Sequence, residues 1–344
     1  MADFYTEYVS KFRDAIEKHT FFCIVGHTSP DGDAVGACVA LREYLESRGK
    51  KAVIVLPNAF PAFLSFLDPR GAIMIYDSCK EKASETLGAA DAIVCLDFNS
   101  LSRVDEMGSI IAASTAFRMM VDHHVSPAAG DFDLLISDTH VSSTCELLYR
   151  LLTGMPDVAS DASRLPMAAS EALFTGMTTD TNNFSNSTYP STFSMASALL
   201  AAGVDRTAIL YRLYNQFSES RLRLIGELLK NRMTIVDGKF SYMVLTKELQ
   251  RKYSYSKGDV EGVVNRPLEI GDVVLSALFT QDDDFVRVSM RSKVGTEISV
   301  FAKKYFNGGG HPNAAGGKLF MKIEEVPDYF VKTVREFGAE AWVL

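Results

Sequence analysis

Seven residues, HTSPDGD at positions 27–33, set one imidazole and two carboxylates around a turn bent by Pro30 and Gly32. A neutral imidazole nitrogen beside the carboxylates of Asp31 and Asp33 suits a hard or borderline divalent cation such as Mn²⁺, Mg²⁺ or Zn²⁺. A solvated Asp/Gly turn with an incidental His27 would look the same in isolation. Repetition favours chemistry: Asp97 in LDFNS, Asp122, His123 and His124 in VDHH, and Asp180 in TTD bring the same residue types back downstream. A further stretch, GGGHPNAAGG at 308–317, surrounds His311 with glycines. The bare backbone N–H groups of Gly308, Gly309 and Gly310, with His311 at their lip, read as a phosphate cradle.

The elements that must position these groups follow from the apolar pattern. Continuous apolar runs at 21–25, 52–56, 72–76, 92–96, 118–121 and 132–136 alternate with helical stretches. That is the signature of a parallel sheet covered on both faces, and such sheets bind ligands beyond the carboxyl ends of their strands. His27, Asp97 and the 122–124 triplet each follow one of these runs, so three strand ends form one rim. Residues 143–153 read as a helix with a capping box, Ser143-x-x-Glu146, which makes Glu146 a cap rather than a ligand. A second helix, 164–176, runs on to Asp180 at its C-terminal end, where a carboxylate opposes the helix dipole and a metal would offset the cost.

Beyond position 190 the pattern is helical to about 232, and then a second domain opens with a hairpin around Asp237-Gly238. A later hairpin places DVVLSALFT and FVRVSMRSK on either side of QDDD. Alternation in its second strand turns Val286, Val288 and Met290 one way and Arg287, Ser289, Arg291 and Lys293 the other, giving one cationic face. The expected architecture is therefore α/β. A doubly wound, mainly parallel N-terminal domain spans 1–190, a helical connector 191–232, and a smaller α/β domain 233–344, with the active site in the cleft between the domains.

The totals agree. The 344 residues suit two domains, and the 47% hydrophobic content is ordinary for a globular protein. A net charge of −8 argues against a broad surface for long nucleic acid, though not against a small phosphate held by a few local cations. No run approaches the roughly 18 apolar residues of a membrane span. The charged amphipathic start, MADFYTEYVSKFRDAIEK, has no apolar signal-peptide core. The five cysteines, odd in number and scattered, read as reduced packing residues of a cytoplasmic protein.

HTSPDGD, LDFNS, VDHH, TTD and GGGHPNAAGG, in that order and across nearly the whole chain, resemble the DHH phosphoesterase superfamily. The likeness is to its RecJ-like, NrnA-type branch with a DHH-associated C-terminal domain. The resemblance implies two divalent ions, Mn²⁺ first and Mg²⁺ as the alternative. His27, Asp31 and Asp97 would hold one; Asp33, Asp97, His123 and Asp180 would hold the other, with Asp97 bridging. His124 would face the substrate and Asp122 would orient the histidine pair. Gly308–Gly310, His311 and Arg291, with Arg287 or Lys293 assisting, would take a second phosphate.

The implied reaction is attack on phosphorus by a hydroxide that the two ions generate. The leaving oxygen's proton would come from His124 or from a metal-bound water. By resemblance the substrates are RNA oligonucleotides a few residues long, giving 5′-mononucleotides, and 3′-phosphoadenosine 5′-phosphate, giving AMP and phosphate. The alternative is a phosphodiesterase of cyclic di-AMP or linear pApA. Pyrophosphatases of the superfamily lack the GGGH run, and a non-catalytic sensor would need a broken ligand set, which this sequence does not have. Homodimers are common in the superfamily, but no stretch here specifies one.

Overall fold

The computed structural model describes residues 2–256, 258–293 and 295–341, with the backbone alone at 2–4, 311 and 339–341. The chain divides into two compact units, Met1–Gln216 and Phe217–Leu344. Residues 191–232 are shared between them: Met195, Leu199, Ile209 and Leu213 join the core of the first unit, while Leu224 and Leu228 join a cluster in the second.

In the first unit six strands form one parallel sheet: β1 (Phe21–Val25), β2 (Lys51–Leu56), β3 (Met74–Ile75), β4 (Ala92–Leu96), β5 (Phe117–Asp122) and β6 (Leu134–Ser137). The spatial order is β3-β2-β1-β4-β5-β6. Direction of winding reverses between β1 and β4, and the crevice at such a switch point is where open α/β sheets bind ligands. The helices are α1 (Ala2–Lys18), α2 (Gly32–Ser47), α3 (Lys80–Ala89), α4 (Met107–Ala113), α5 (Thr144–Thr153), α6 (Met167–Asp180), α7 (Pro190–Ala201) and α8 (Arg206–Tyr214). Two apolar clusters cover the sheet. One packs α1, α2, α5 and α6 on Phe22, Ile24, Val94 and Val121; the other packs α3 and α4 on Cys23, Val25, Ile93 and Met120. Burial on both faces explains why the strands read as continuous apolar runs.

The second unit holds a mixed six-stranded sheet, in the order β11-β12-β10-β9-β8-β7. Its strands are β7 (Thr234–Val236), β8 (Phe240–Leu245), β9 (Leu275–Gln281), β10 (Val286–Ser292), β11 (Gly309–His311) and β12 (Ala314–Leu319). Helices α9 (Glu219–Glu227), α10 (Lys247–Lys252), α11 (Ile298–Tyr305) and α12 (Val326–Ala341) complete it. The β7–β8 turn has positive φ at both Asp237 (51°) and Gly238 (71°), the type I′ geometry that the Asp-Gly pair predicts. Val286, Val288 and Met290 alternate inward along β10, toward Phe301 and Phe330. No single helix among the described residues is long and apolar enough to cross a membrane, and all five cysteines are free.

Candidate metal centre

After β1 the backbone turns through Ser29 at φ 57°, whose N–H donates to Asn58 Oδ1 at 2.8 Å. The turn delivers Asp31 as the N-cap of α2, its Oδ1 accepting from the N–H groups of Asp33 and Ala34 at 3.0 and 3.1 Å. His27 is buried, and its Nδ1 donates to the carbonyl of Thr28 at 2.9 Å. That bond leaves the lone pair on Nε2, the tautomer a metal ligand needs. Nε2 lies 3.4 Å from Asp97 Oδ2 and 3.9 Å from Asp31 Oδ1.

Asp97 ends β4 with φ at 66°, the left-handed region that aspartate tolerates better than most side chains. Its N–H stays tied to the Val121 carbonyl at 3.2 Å. The two carboxylate oxygens look opposite ways. Oδ2 faces His27, while Oδ1 lies 3.6 Å from His123 Nε2 and 3.8 Å from His124 Nδ1. His123 Nε2 is also 3.6 Å from Asp180 Oδ2, and Asp180 is the last residue of α6.

Asp33 is held from the other side. Its Oδ2 and Oδ1 accept from the N–H groups of Thr144 and Cys145, at 2.6 and 2.9 Å, at the N-terminus of α5. This approach depends on glycines. A Cβ on Gly176 of α6 would stand 2.3 Å from Cys145 Sγ and 3.0 Å from Asp33 Oδ1, and one on Gly36 of α2 would stand 2.6 Å from the Ala172 carbonyl. Bare backbone at these points lets α2 and α6 close until Asp33 and Asp180 face the same imidazole.

Asp122 is fully buried, and its Oδ1 accepts from His124 Nδ1 at 2.7 Å. The pairing occupies the imidazole's Nδ1, which lies 3.8 Å from Asp97 Oδ1. Asp122 Oδ2 is buried without a hydrogen-bond partner among the described residues.

Three sets of groups here could hold a cation: His27, Asp31 and Asp97; Asp33, His123 and Asp180; Asp97, His123 and His124. Within each set the donor atoms lie within 4.8 Å of one another. The separations of 3.4–3.9 Å are too long for hydrogen bonds. They slightly exceed the roughly 3.0–3.4 Å between neighbouring ligands about 2.1 Å from one ion. Electrostatics point the same way. Burial lifts the Asp33 carboxyl above its ordinary value. It lifts Asp97 well above, with the charges of Asp33, Asp31, Asp180 and Asp122 adding to the effect. Burial also lowers the His27 pKa and keeps that ring neutral. Buried carboxylates crowded around neutral imidazoles are a donor set that a divalent cation would satisfy.

Glu146 is buried at the foot of α5. The Ser143 hydroxyl accepts from the Glu146 N–H at 3.0 Å, as the capping pattern predicts. The carboxylate, however, accepts from the N–H and hydroxyl of Ser142 and from Thr192 Oγ1, and pairs with Arg150. It therefore ties α5 to α7 instead of closing the box on Ser143.

In the second unit GGGHPNAAGG forms a β-hairpin, in place of the open loop that a bare phosphate cradle suggests. β11 pairs with β12, and Gly309, Gly310 and His311 stand opposite Gly316, Ala315 and Ala314. Most of the glycines are explained by close packing: a Cβ on Gly308 would fall 1.8 Å from the Gly316 carbonyl oxygen, and one on Gly317 2.2 Å from that of Phe306. Gly309 alone of the first three has nothing within 4 Å of such a Cβ. Positions 291, 314 and 311 form one cross-strand row; the His311 side chain lies outside the described residues. Arg291 Nη1 donates to the Met290 carbonyl at 2.9 Å, and Arg287 pairs with Asp282 at 3.1 Å. Lys293 lies beyond the end of β10 and donates to the carbonyls of Ile270 and Gly271.

Residue patterns in the sequence do not single out Thr144, Cys145 or Arg103. The first two act through backbone N–H groups and one hydroxyl, which no motif of charged residues contains. Arg103 accepts the Thr28 N–H at its carbonyl, at 2.8 Å, and its charge helps depress the His27 pKa. Its only sequence signal is its place six residues after Asp97.

Residues 22–177 match the DHH family, N-terminal domain, and residues 237–340 match the DHHA1 domain. The bifunctional oligoribonuclease and PAP phosphatase NrnA of Bacillus subtilis is 29% identical over 299 residues, covering 86% of this chain and 88% of that protein. The crystal structure of an exopolyphosphatase-related protein from Bacteroides fragilis superimposes with a TM-score of 0.90 at 38% identity, covering 97% of both chains. RecJ of Thermus thermophilus, solved in complex with Mn²⁺, shares the fold at a TM-score of 0.58 and 14% identity, over 98% of this chain and 55% of RecJ.

Proposed function

Because the chain belongs to the DHH phosphoesterase family and carries a DHHA1 domain, we propose that it cleaves very short RNA to 5′-mononucleotides and 3′-phosphoadenosine 5′-phosphate to AMP and phosphate. The observation that carries this reading is the disposition of Asp97, whose two oxygens face His27 on one side and His123 on the other. A carboxylate so placed suits a shared ligand of two cations, with His27 and Asp31 completing one set and Asp33, His123 and Asp180 the other. Two such ions, Mn²⁺ first, would supply an activated water near neutral pH and neutralise phosphoryl charge.

The chain's own residues do the rest. His27 presents Nε2 as a neutral donor because its Nδ1 proton is committed to Thr28. Asp33 is oriented by the first turn of α5. His124, held at Nδ1 by Asp122, would donate a hydrogen bond to a phosphoryl oxygen or a proton to the leaving oxygen. In the second unit Gly309, Arg291 and His311 are the proposed partners of a further substrate phosphate. Gly308 and Gly310 shape the strand, and Arg287 and Lys293 add positive charge.

The test is a panel assay of the purified full chain in Mn²⁺, and in chelator, with product masses as the readout. Di- to pentanucleotide RNA, 3′-phosphoadenosine 5′-phosphate, linear pApA and cyclic di-AMP are compared. Mononucleotides from the RNAs and AMP from the bisphosphate, both lost in chelator, are expected. Turnover confined to cyclic di-AMP, or unaffected by chelator, would sink the reading.

A further inference from the structure

We propose that Thr144 is a positioning residue that locks Asp97 and Asp33 in register and fixes the plane of the Asp97 carboxylate between its two imidazoles. This rests on the metal reading above. The terminal torsion of an aspartate is broad and roughly two-fold, so nothing intrinsic to Asp97 chooses its rotation. In this fold a hydroxyl chooses it. Thr144 Oγ1 donates to Asp97 Oδ1 at 2.9 Å, on the side that faces His123, and so holds the carboxylate plane with its other oxygen toward His27. The backbone N–H of Thr144 donates to Asp33 Oδ2 at 2.6 Å. One residue therefore joins a carboxylate at the end of β4 to a carboxylate at the start of α2.

Thr144 is fully buried, as are Asp97 and Asp33 to within 2% exposure. Bulk water is thus kept from replacing its hydroxyl as donor. A β-branched side chain is restricted at χ1, which narrows the directions open to the hydroxyl. The hydroxyl is not needed to cap the helix, because Ser143 supplies the N-cap oxygen. The turn that carries Thr144 is itself anchored, through Glu146, to Ser142, Thr192 and Arg150, and Arg150 reaches Tyr5 of α1. A support built this way positions a metal ligand without touching the ion or the substrate.

The experiment titrates Mn²⁺ calorimetrically into the metal-stripped full chain, comparing wild type with Thr144→Val and Thr144→Ser, with unfolding in chelator measured alongside. Thr144→Val keeps the branched shape and the backbone N–H but loses the hydroxyl. Its Mn²⁺ affinity is expected to fall about 10–100-fold. Thr144→Ser, which keeps the hydroxyl, is expected to bind near the wild-type level. Thr144→Ala, less demanding of the packing, provides the same comparison if Thr144→Val does not fold. Wild-type affinity in a folded hydroxyl-free variant, or equal losses in the Ser and Val variants, would overturn the positioning role alone. A wild-type chain that takes up no Mn²⁺ would overturn this role together with the metal reading.

Discussion

Glycine does different work in the two regions that carry the candidate chemistry. In the first unit, Gly36 and Gly176 are bare so that α2, α5 and α6 can close, and the profit goes to side chains: Asp33 and Asp180 reach the imidazole of His123. In the second unit, Gly308 and Gly317 are bare so that strand backbones can pack on one another and on Phe306. There the site, if it binds an anion, is made of backbone and of whatever lies along the row at 291, 314 and 311. One region is a buried set of titratable groups with strongly perturbed protonation; the other is a close-packed hairpin with nearby cations. We therefore propose metal chemistry for the first and phosphate recognition alone for the second.

The sharpest way to break this division is at Asp97. Asp97→Asn should lower turnover of every substrate by about a thousandfold or more, since it withdraws several kcal/mol of charge stabilisation. The same variant should behave oppositely in stability. Burial raises the Asp97 carboxyl well above its ordinary value, so the folded state holds that proton more tightly than the unfolded chain does. In chelator, the contribution of this group to wild-type stability is then full below the ordinary carboxylate pKa and is lost as pH climbs from there through the raised folded value. Asp97→Asn removes this contribution. At pH 7 without metal it should be more stable than wild type, by more than the ~0.5 kcal/mol typical of surface changes. Urea unfolding across pH, with and without Mn²⁺, checks both halves. A stability difference between wild type and Asp97→Asn that moved in favour of wild type as pH rose in chelator would show that the Asp97 carboxylate is paired with something other than a cation.

A smaller effect separates the glycines of the hairpin from one another. Gly308→Ala forces a Cβ against the Gly316 carbonyl, and should cost about 1–3 kcal/mol, as overpacking generally does. Gly309→Ala meets nothing within 4 Å and should leave the unfolding midpoint unchanged. If position 309 faces a substrate phosphate, that alanine raises KM while kcat and Mn²⁺ affinity stay put. Equal thermal losses in the two variants would mean that the hairpin's glycines are all packing residues.

The parallel sheet was legible because burial on both faces writes each strand as an unbroken apolar run; β1 and β4 end where the runs at 21–25 and 92–96 end. The candidate ligands were legible for a related reason. Few residue types bind cations, and a sheet places strand ends side by side, so His27, Asp97 and His123 are bound to converge. Hydrogen-bond donors left no such trace. Thr144 and Cys145 act on Asp33 through N–H groups that every residue possesses, and only the fold brings them there. The glycine run left its shape open for the converse reason, since glycine serves equally to bare an amide and to let two strands touch. Shorter elements were also blurred: the run at 72–76 yields a strand of only two residues, Met74–Ile75, because the chain turns at once into a helical turn at Tyr76–Ser78.

Arg103 offers the mildest test. Its backbone is stapled to the turn between His27 and Asp31, its charge is felt at His27, and its side chain is exposed. A guanidinium beside a cation cluster is not a ligand, and it disfavours cation binding rather than aiding it. What it suits is an anion arriving at that cluster, because Arg presents a planar fork matched to phosphate oxygens. Arg103→Ala should therefore raise KM for 3′-phosphoadenosine 5′-phosphate by roughly threefold to tenfold, about 1 kcal/mol for an exposed charged hydrogen bond. Its kcat should hold, and its Mn²⁺ affinity should be equal or slightly tighter. Arg103→Lys should recover only part of the loss, since a point charge replaces the fork. If Arg103→Ala instead weakened Mn²⁺ binding, the arginine would belong to the scaffold of the metal turn, and the anion would have to be met from the second unit alone.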